Sequence, residues 1–494
     1  MIFIRKFIFL VFSIIVLIVI NYQMALANDP LNCKSINADL LENYIPWTAP
    51  SFENQTNTLG YADNTFKVED RFKSNVDFWI SIYTKYSTTE GVIHNIDNPS
   101  IVYETLDFNS IIENNNISAR EKEKAKENLI QQAKERIAFS LTKLSTNPSA
   151  SDLNSYDEKI KSSFPTNTSS DDFANAAHLN QIRFQLGQSN RMKQAIQDSG
   201  RFLPYIEDIF RGEGLPLELT RLPFVESSFN VFSISKVGAS GIWQIMPSVA
   251  RGQLKRNNFM DYRNHPLEAS KMAANILKSN YIKLNNWALA LTAYNHGANG
   301  MARLVVKNKT NDLHQIIKEG DVTNSFGFAS RNFYYTFLAA LEVEKNADKY
   351  FNDICKVNTL QLDNIKTKSP IGFTDIIEFF KGDIQLAMFY NPHFTKRIYL
   401  NKSKIPEHTK IIIPSSDKYL FLAKENQISI KGSSSNKKVI FAKKSNLRKY
   451  KISRGDTLIR IAKQFNVPLN KLLALNDLKH KNDIKAGQLI FISE

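Results

Sequence analysis

The chain has 494 residues, of which 43% are hydrophobic and 22% charged, and its formal net charge at pH 7 is +15. This composition excludes a disordered chain and a many-pass membrane protein, and the length predicts several domains because single cores rarely grow beyond ~250–300 residues. The positive charge suits nucleic acid, an anionic membrane or an anionic cell-wall polymer, and charge alone does not choose among them.

Residues 1–27 have the pattern of an export signal. Arg5 and Lys6 precede the apolar run 7–20, and Ala25-Leu26-Ala27 is a small-x-small cleavage site. The apolar run is shorter than the ~20 residues that a stable membrane-spanning helix requires. We therefore expect an exported protein of the periplasm or cell envelope whose mature chain begins at Asn28, with retention of the run as a membrane anchor as the alternative.

Residues 28–185 predict a loop-rich lead-in followed by a mainly helical region. Apolar residues recur at helical spacing in 77–83, and the charged stretch 118–144 has the pattern of a long helix. Trp79 and Tyr83 lie one helical turn apart and could line a binding groove, but aromatic pairs at this spacing are more often part of a core. We assign both to the core.

Residues 215–247 carry the strongest candidate for chemistry. Apolar residues recur at helical spacing from Leu219 to Val225, Pro223 should kink this helix, and Glu226 follows at its end. The apolar neighbours of Glu226 favour a neutral carboxylic acid, which can donate a proton near pH 7. Residues 227–260 contain no Asp or Glu, so the second carboxylate of most glycosidases is missing here. A catalytic Glu226 would act alone; otherwise it only ends a helix.

Three ordered motifs connect this segment to a known family. They are E-S-S-F at 226–229, S-K-V-G-A-S-G-I-W-Q-I-M-P at 235–247 and A-L-T-A-Y-N-H-G at 290–297. Together they resemble the lytic murein transglycosylases, and with the C-terminal repeat described below they resemble the membrane-bound transglycosylase D type. The resemblance implies a multidomain, mainly α chain with a lysozyme-like α+β catalytic domain over residues 186–350.

The resemblance also implies roles for individual residues. Glu226 would be the only catalytic acid and base. From the residues alone, His296 has no His-x-x-x-His motif or carboxylate cluster beside it, so we expect it at the groove rim and not in a metal site. A tyrosine on the helix predicted near residues 326–343 closes the groove in the family, where this chain has Phe333 or Tyr334. The implied substrate-binding residues are Ser227, Gly238, Gly241, Gln244, Met246, Tyr294, Asn295 and Tyr334.

The C-terminal third has the order of a repeat. Residues 365–415 predict a degenerate LysM-like connector and residues 416–447 a linker, whereas residues 448–494 resemble a complete βααβ LysM domain, with G-D-T-L at 455–458 and I-K-A-G-Q-L-I-F-I at 484–492. This resemblance implies binding to N-acetylglucosamine units of the glycan. The implied glycan-binding residues are Gly455, Asp456, Thr457 and Asn476.

The function implied by the resemblance is that of a lytic transglycosylase in cell-wall remodelling. It would cleave the β-1,4 bond between N-acetylmuramate and N-acetylglucosamine in peptidoglycan and form 1,6-anhydro-N-acetylmuramate. We expect no cofactor, no metal and no nucleic-acid partner, with peripheral association to the envelope. Two alternatives remain open, a goose-lysozyme-like muramidase that uses water and a non-catalytic peptidoglycan-binding scaffold. Whether Cys33 and Cys355 pair also stays open at this point.

Overall fold

A computed structural model describes residues 44–414, apart from 53–54, 56–57, 148–152, 319–324 and 381, and residues 447–493, apart from 454, 466, 468, 470–471, 474–475, 477, 479–483 and 485–486. The expected export signal, and the expected linker except for Leu447, lie outside the described residues. The chain divides into two compact units, residues 1–423 and 424–494, which are considered one at a time.

The described part of the first unit is mainly helical. Its strands are β1 (Tyr44–Pro46), β2 (Glu90–Asn95), β3 (Val102–Asp107), β4 (Ile182–Leu186), β5 (Cys355–Val357), β6 (Leu362–Lys366) and β7 (Lys410–Pro414). Its helices are α1 (Asp70–Thr84), α2 (Asn109–Glu113), α3 (Ala119–Thr146), α4 (Ser155–Ser162), α5 (Ser170–Ala176), α6 (Ser189–Ser199), α7 (Leu203–Gly212), α8 (Leu222–Ser227), α9 (Pro247–Ala250), α10 (Pro266–Leu284), α11 (Trp287–His296), α12 (Ala298–Asn308), α13 (Leu313–Lys318), α14 (Phe328–Lys345), α15 (Ala347–Tyr350), α16 (Phe373–Phe379), α17 (Ile384–Tyr390) and α18 (Lys396–Tyr399).

The N-terminal region combines helices with a small sheet. Strands β3, β2 and β4 form an antiparallel sheet in that order, and α3 packs on α5 beside it. Helix α3 begins at a capping box in which the Ser118 hydroxyl accepts the Glu121 amide and the Glu121 carboxylate accepts the Ser118 amide. The prediction of helices at 77–83 and 118–144 is confirmed, whereas the sheet was missed because its strands are short.

Helix α1 belongs to the core that also contains the predicted catalytic domain. It packs against α14, and the Trp79 indole donates a buried hydrogen bond to Asn332 Oδ1 at 3.1 Å. Trp79 and Tyr83 are 5% and 3% exposed, which confirms their assignment to the core. The hydrophobic core is therefore continuous across residue 186, where the sequence predicts the start of a separate domain.

The segment that leads to Glu226 is anchored by a buried ion-pair network. A 3₁₀ turn, Leu217–Arg221, runs directly into α8, so the irregularity predicted at Pro223 occurs at this junction. The Arg221 guanidinium, 2% exposed, pairs with Glu207 and, at 3.2 Å, with the buried Glu344. Breaking a buried pair of this kind typically costs ~3–5 kcal/mol, because the remaining charge is left uncompensated. The network therefore ties the approach to α8 firmly to α7 and α14.

A strand near the end of the first unit pairs with the first strand of that unit. Strand β5 pairs antiparallel with β1, and Cys355 at the start of β5 is disulfide-bonded. The other cysteine of the chain, Cys33, lies outside the described residues. Strands β6 and β7 then pair antiparallel, with α16, α17 and α18 between them. No helix in the described parts of the chain is both long enough and apolar enough to cross a membrane.

The second unit is small and has its own core. It contains β8 (Leu447–Lys451), α19 (Leu458–Gln464) and β9 (Leu489–Ser493), and β8 pairs antiparallel with β9. The expected strand, first helix and closing strand of the βααβ pattern are present, while most of the second helix, predicted at 470–475, lies outside the described residues. The buried side chains include Ile452, Leu458, Ile461, Leu472, Ile490 and Ile492.

Candidate active site

Glu226 lies at the end of α8, where the chain turns sharply. The two residues that follow the helix, Ser228 and Phe229, have φ angles of 52° and 56°, so the backbone leaves the helix through the left-handed region. The rings of Phe224 and Phe229 lie 4.7 Å apart and are buried on either side of Glu226 in the sequence. The carboxyl group therefore sits half-buried at the edge of an apolar core.

The electrostatics of Glu226 are those of an isolated acid. Burial raises its pKa from 4.5 to about 8, because an ionised carboxylate is poorly solvated there, and no neighbouring charge contributes to the shift. Within the described part of the chain, no hydrogen bond or ion pair to this carboxyl is found. Glu226 is therefore a neutral acid at pH 7 that keeps its proton available for a ligand.

Two tyrosines lie within electrostatic reach of Glu226. Burial is the main cause of the raised pKa of Tyr83 and of Tyr294, and the negative charge of Glu226 adds to it in both. The Tyr294 hydroxyl donates to the Trp243 carbonyl at 2.9 Å, which fixes the C-terminal end of α11 next to the glycine loop, residues 235–247. Tyr83 comes from α1, far away in sequence, and no motif could have connected it with Glu226.

The glycine loop folds back on itself as a tight hairpin. Gly238 and Gly241 have φ angles of 89° and 77°, which favour glycine, and a Cβ on Gly241 would lie 2.0 Å from the Arg263 carbonyl oxygen. The Gln244 side chain donates to the carbonyls of Ser233 and Gly241 at 3.2 and 2.8 Å. Gln244, which the resemblance predicts to line the substrate groove, thus stabilises the glycine loop.

Ser227 joins α8 to the same loop. Its hydroxyl donates to the Ile242 carbonyl at 2.9 Å, so the residue next to the acid holds the loop at a fixed position relative to Glu226. Met246 is half-buried and precedes α9, with its carbonyl accepting the amides of Val249 and Ala250. Ser227 and Met246 thus both contribute to the shape of the loop.

Arg263 is a functional candidate that the sequence analysis missed. It is 4% exposed, pairs with Asp261, and donates to the carbonyls of Gly238 and Ile245 at 2.6 and 2.9 Å. One guanidinium therefore holds both sides of the glycine loop, as its planar set of donors allows. The sequence shows only an arginine some residues after a glycine-rich loop, and none of the three family motifs includes it.

Tyr334, which the resemblance places among the groove residues, packs in the hydrophobic core. Tyr334 is buried, meets the ring of Phe72 edge-on at 5.9 Å, and has Glu69 and Arg71 as its charged neighbours. It lines a cavity of about 400 Å³ at the Trp287 end of α11, whereas Tyr294 lies near the other end of that helix, ~10 Å further along the axis.

Helix α14 contacts the C-terminal end of α11 through Ser330. The Ser330 hydroxyl donates to Asn295 Oδ1 at 2.7 Å, and Phe333 lies one turn later on the same face as Ser330. Tyr334, four residues after Ser330, lies about 100° around the helix axis from Phe333. Asn295 itself is exposed at the end of α11.

His296 packs against an aromatic ring at the end of α11. His296 is half-buried and edge-on to Phe326, and burial lowers its pKa. In the described regions no three His, Cys, Asp or Glu side chains come together so as to hold a metal ion.

The predicted glycan-binding residues of the second unit build its first turn and cap its helix. Gly455 has a φ of 96°, and the Asp456 carboxylate accepts the Ser453 amide and the Tyr450 hydroxyl at 2.8 and 2.7 Å. These bonds, led by the Ser453 amide, lower the pKa of Asp456. The Thr457 hydroxyl caps α19, and Asn476 donates to the Leu472 carbonyl at 2.8 Å. The turn is thereby held in one conformation.

Comparison with known proteins gives two family matches. Residues 208–317 match the transglycosylase SLT domain and residues 450–493 match the LysM domain. Membrane-bound lytic murein transglycosylase D of Escherichia coli strain K12 is 22% identical over 341 residues, covering 63% of this chain and 71% of that protein, and the same figures hold for strain CFT073. A solved structure of an inactive mutant of lytic transglycosylase Slt from Pseudomonas aeruginosa is 17% identical with a TM-score of 0.24, covering 30% of this chain and 26% of the other.

The raised pKa of Glu226 predicts a pH-dependent stability difference between the wild type and Glu226→Gln. Between pH 4.5 and about 8 the unfolded chain releases this proton while the folded chain retains it, so wild-type stability falls as the pH rises through that window. The glutamine variant lacks this effect. We therefore expect the Tm of the variant minus the Tm of the wild type to increase from pH 5 to pH 8 in thermal unfolding measurements. A Tm difference that does not change with pH would contradict this account.

The two loop glycines form a matched pair for testing the glycine loop. Both have positive φ angles, so alanine at either position should cost ~1–2 kcal/mol in backbone strain. A Cβ at Gly238 finds its nearest neighbour at 3.8 Å, whereas at Gly241 it would overlap the Arg263 carbonyl. We expect Gly241→Ala to lower the free energy of unfolding by clearly more than Gly238→Ala in urea titrations. Equal losses would show that the loop rearranges freely.

Proposed function

The chain is a peptidoglycan-cleaving lytic transglycosylase with an SLT domain and a C-terminal LysM domain, and we propose that Glu226 is its single acid and base. The bond cleaved is the β-1,4 linkage between N-acetylmuramate and N-acetylglucosamine. The observation that carries the proposal is the isolated, desolvated carboxyl of Glu226 with a pKa of about 8.

In the first step, protonated Glu226 donates its proton to the glycosidic oxygen. The C1–O bond breaks, the N-acetylglucosamine side leaves with a free 4-hydroxyl, and positive charge develops on the muramyl C1. No charged neighbour contributes to the pKa of Glu226, so we assign stabilisation of C1 to the substrate's own N-acetyl oxygen, which bonds to it. Because this step needs the neutral acid, its rate should fall as the pH rises through about 8.

In the second step, the Glu226 carboxylate acts as the base. It removes the proton of the muramyl C6 hydroxyl, whose oxygen attacks C1 and displaces the N-acetyl oxygen. The product is 1,6-anhydro-N-acetylmuramate, Glu226 regains its proton, and no water is consumed. The loop contacts of Ser227, Gln244 and Arg263 support this scheme, since a rigid groove can hold the C6 hydroxyl near the carboxylate.

The second unit would supply glycan affinity. The match to the LysM domain supports binding to N-acetylglucosamine units through the turn at Gly455, Asp456 and Thr457 and through Asn476. Attachment to the same chain makes the second contact effectively intramolecular, so it raises the local concentration of substrate. Homology to a membrane-bound murein transglycosylase points to the cell envelope, which the chain would reach through the signal at residues 1–27.

The catalytic assignment predicts the effect of Glu226→Gln, which keeps the shape of the side chain but cannot transfer the proton. Loss of general acid–base catalysis costs ~10²–10⁴ in rate, and here one residue fills both roles, so release of muropeptides from purified sacculi should become nearly undetectable. The matched control is Glu218→Gln, eight positions earlier. Its buried carboxylate accepts from Gln55 at 3.1 Å, a bond that glutamine can also accept, and activity should be retained.

Mass analysis of the wild-type products decides between the mechanisms. A transglycosylase releases muropeptides with 1,6-anhydro ends, one water lighter than those made by a muramidase. Reducing-end products would indicate that water is the nucleophile. Full activity of Glu226→Gln would remove Glu226 from the mechanism, and an inactive wild type would favour a binding scaffold.

Deletion of residues 448–494 tests the binding role of the second unit. Loss of one of two linked contacts should weaken sacculus binding at least ~10-fold, within the range that linked sites can supply. Turnover of short soluble glycan chains should stay unchanged, since the first unit contains Glu226. Unchanged sacculus affinity in a pull-down titration would rule out this role.

A further inference from the structure

The described part of the connector, predicted at residues 365–415, is joined to the catalytic region by main-chain hydrogen bonds. Its partner is the 255–265 loop. The Asp261 amide donates to the His393 carbonyl at 2.7 Å, and the Thr395 amide donates to the Phe259 carbonyl at 2.9 Å. The Thr395 hydroxyl adds a bond to the Asn258 carbonyl at 2.8 Å. These contacts have the form of strand pairing, so the connector is packed onto this loop.

Side chains complete the interface. The His393 ring is 1% exposed and lies 5.0 Å from the Tyr262 ring and 5.1 Å from the His265 ring. Neither ring nitrogen of His393 has a hydrogen-bond partner among the described residues. His393 therefore fills the space between the two segments as a neutral aromatic ring.

The 255–265 loop is the element that holds the glycine loop in place. Its Arg263 donates to the carbonyls of Gly238 and Ile245, and its Asn264 accepts the Ser240 hydroxyl at 2.5 Å. A continuous series of contacts thus runs from the connector, through the 255–265 loop, to the groove next to Glu226.

A second contact reaches the groove from α17. The Phe389 ring meets Phe232, just before the glycine loop, edge-on at 5.6 Å, and the Arg201 guanidinium lies over Phe389 at 4.8 Å. The connector therefore contacts the catalytic region at two places, each of which adjoins the glycine loop.

We propose that the connector is a positioning element of the glycan groove and that His393 is a positioning residue, which acts on the glycine loop through the 255–265 loop and Arg263. The proposal rests on the transglycosylase function proposed above. His393 itself would touch no substrate. The approach to α8 is anchored separately by the Arg221 network, so loss of the connector contact should weaken glycan binding more than it slows the chemical steps.

This interface has a predictable pH dependence. The groups that face His393 are His265 and Tyr262 from the catalytic region and Lys410 from β7, and Glu268 and Lys271 of α10 act on His265. Burial lowers the pKa of His393 well below its usual range and that of His265 to about 4. Both imidazoles gain protons more readily when the interface opens. The interface should therefore be stable above pH ~6.5 and weaken as the pH falls below this value.

The test compares three variants of the full-length protein. His393→Ala removes the ring between Tyr262 and His265, and His393→Phe keeps a ring but removes the nitrogens. His408→Asn is the matched control, because His408 is an exposed histidine of the same connector and its φ of 59° is one that asparagine accepts. The measurements are amide exchange of residues 255–265, thermal unfolding, and KM and kcat on soluble glycan chains at pH 7.5 and pH 5.5.

For His393→Ala we expect faster amide exchange in the 255–265 loop and a KM raised about 10-fold or more at pH 7.5, with kcat changed much less. His393→Phe should restore both values at pH 7.5, and its KM should rise less than that of the wild type at pH 5.5. His408→Asn should match the wild type throughout. An unchanged KM and unchanged exchange in a folded His393→Ala would overturn the proposal, as would a folded His393→Phe without rescue.

Amide exchange does not depend on activity, so the two proposals fail in different ways. Faster exchange in His393→Ala together with an inactive wild type would refute the transglycosylase function while leaving the connector contact in place. Normal wild-type activity with no effect of His393→Ala on exchange or KM would refute the positioning role alone.

Discussion

Desolvation of one carboxyl group is the constraint on which this structure depends. Glu226 has an apolar core beside it and, among the residues that the structure describes, no hydrogen-bond or ion-pair partner, and both features oppose folding of its ionised form. The chain compensates around the acid. The Arg221 network anchors the approach to α8, the Ser227 hydroxyl fixes its end, and the left-handed residues Ser228 and Phe229 turn the chain away from the carboxyl.

The glycine loop has a flexible sequence but a conformation that hydrogen bonds fix. Glycines at positive φ allow the tight hairpin but supply no side chains that could hold it. Other side chains donate the hydrogen bonds that hold it. They are Gln244 of the loop itself, Ser227 of α8 and Arg263 of the 255–265 loop. Such a loop can approach a sugar closely because its backbone carries no bulky side chain there, and it keeps its shape because buried donors satisfy its carbonyls.

Segments on both sides of the SLT match contribute to the same core. Tyr83 of α1 reaches the surroundings of Glu226 from the N-terminal region, and the connector contacts the 255–265 loop from the C-terminal side. The matched residues 208–317 contain Glu226, Tyr294 and Arg263, yet helices α1 and α14, which lie outside that match, supply much of the apolar environment. The environment of Glu226 is thus a property of the larger unit.

The sequence alone determined those features that depend on short range. Helical spacing placed α3 to within a few residues, and the order of E-S-S-F, the glycine loop and A-Y-N singled out Glu226 as the candidate acid, because each motif acts through neighbours in the chain. Only the tertiary structure decided which faces meet. It packed Tyr334 against Phe72, brought Tyr83 and Arg263 to the surroundings of Glu226, and joined the connector to the 255–265 loop. These contacts link residues far apart in sequence, and the packing of whole helices and loops selects them, which no local pattern encodes.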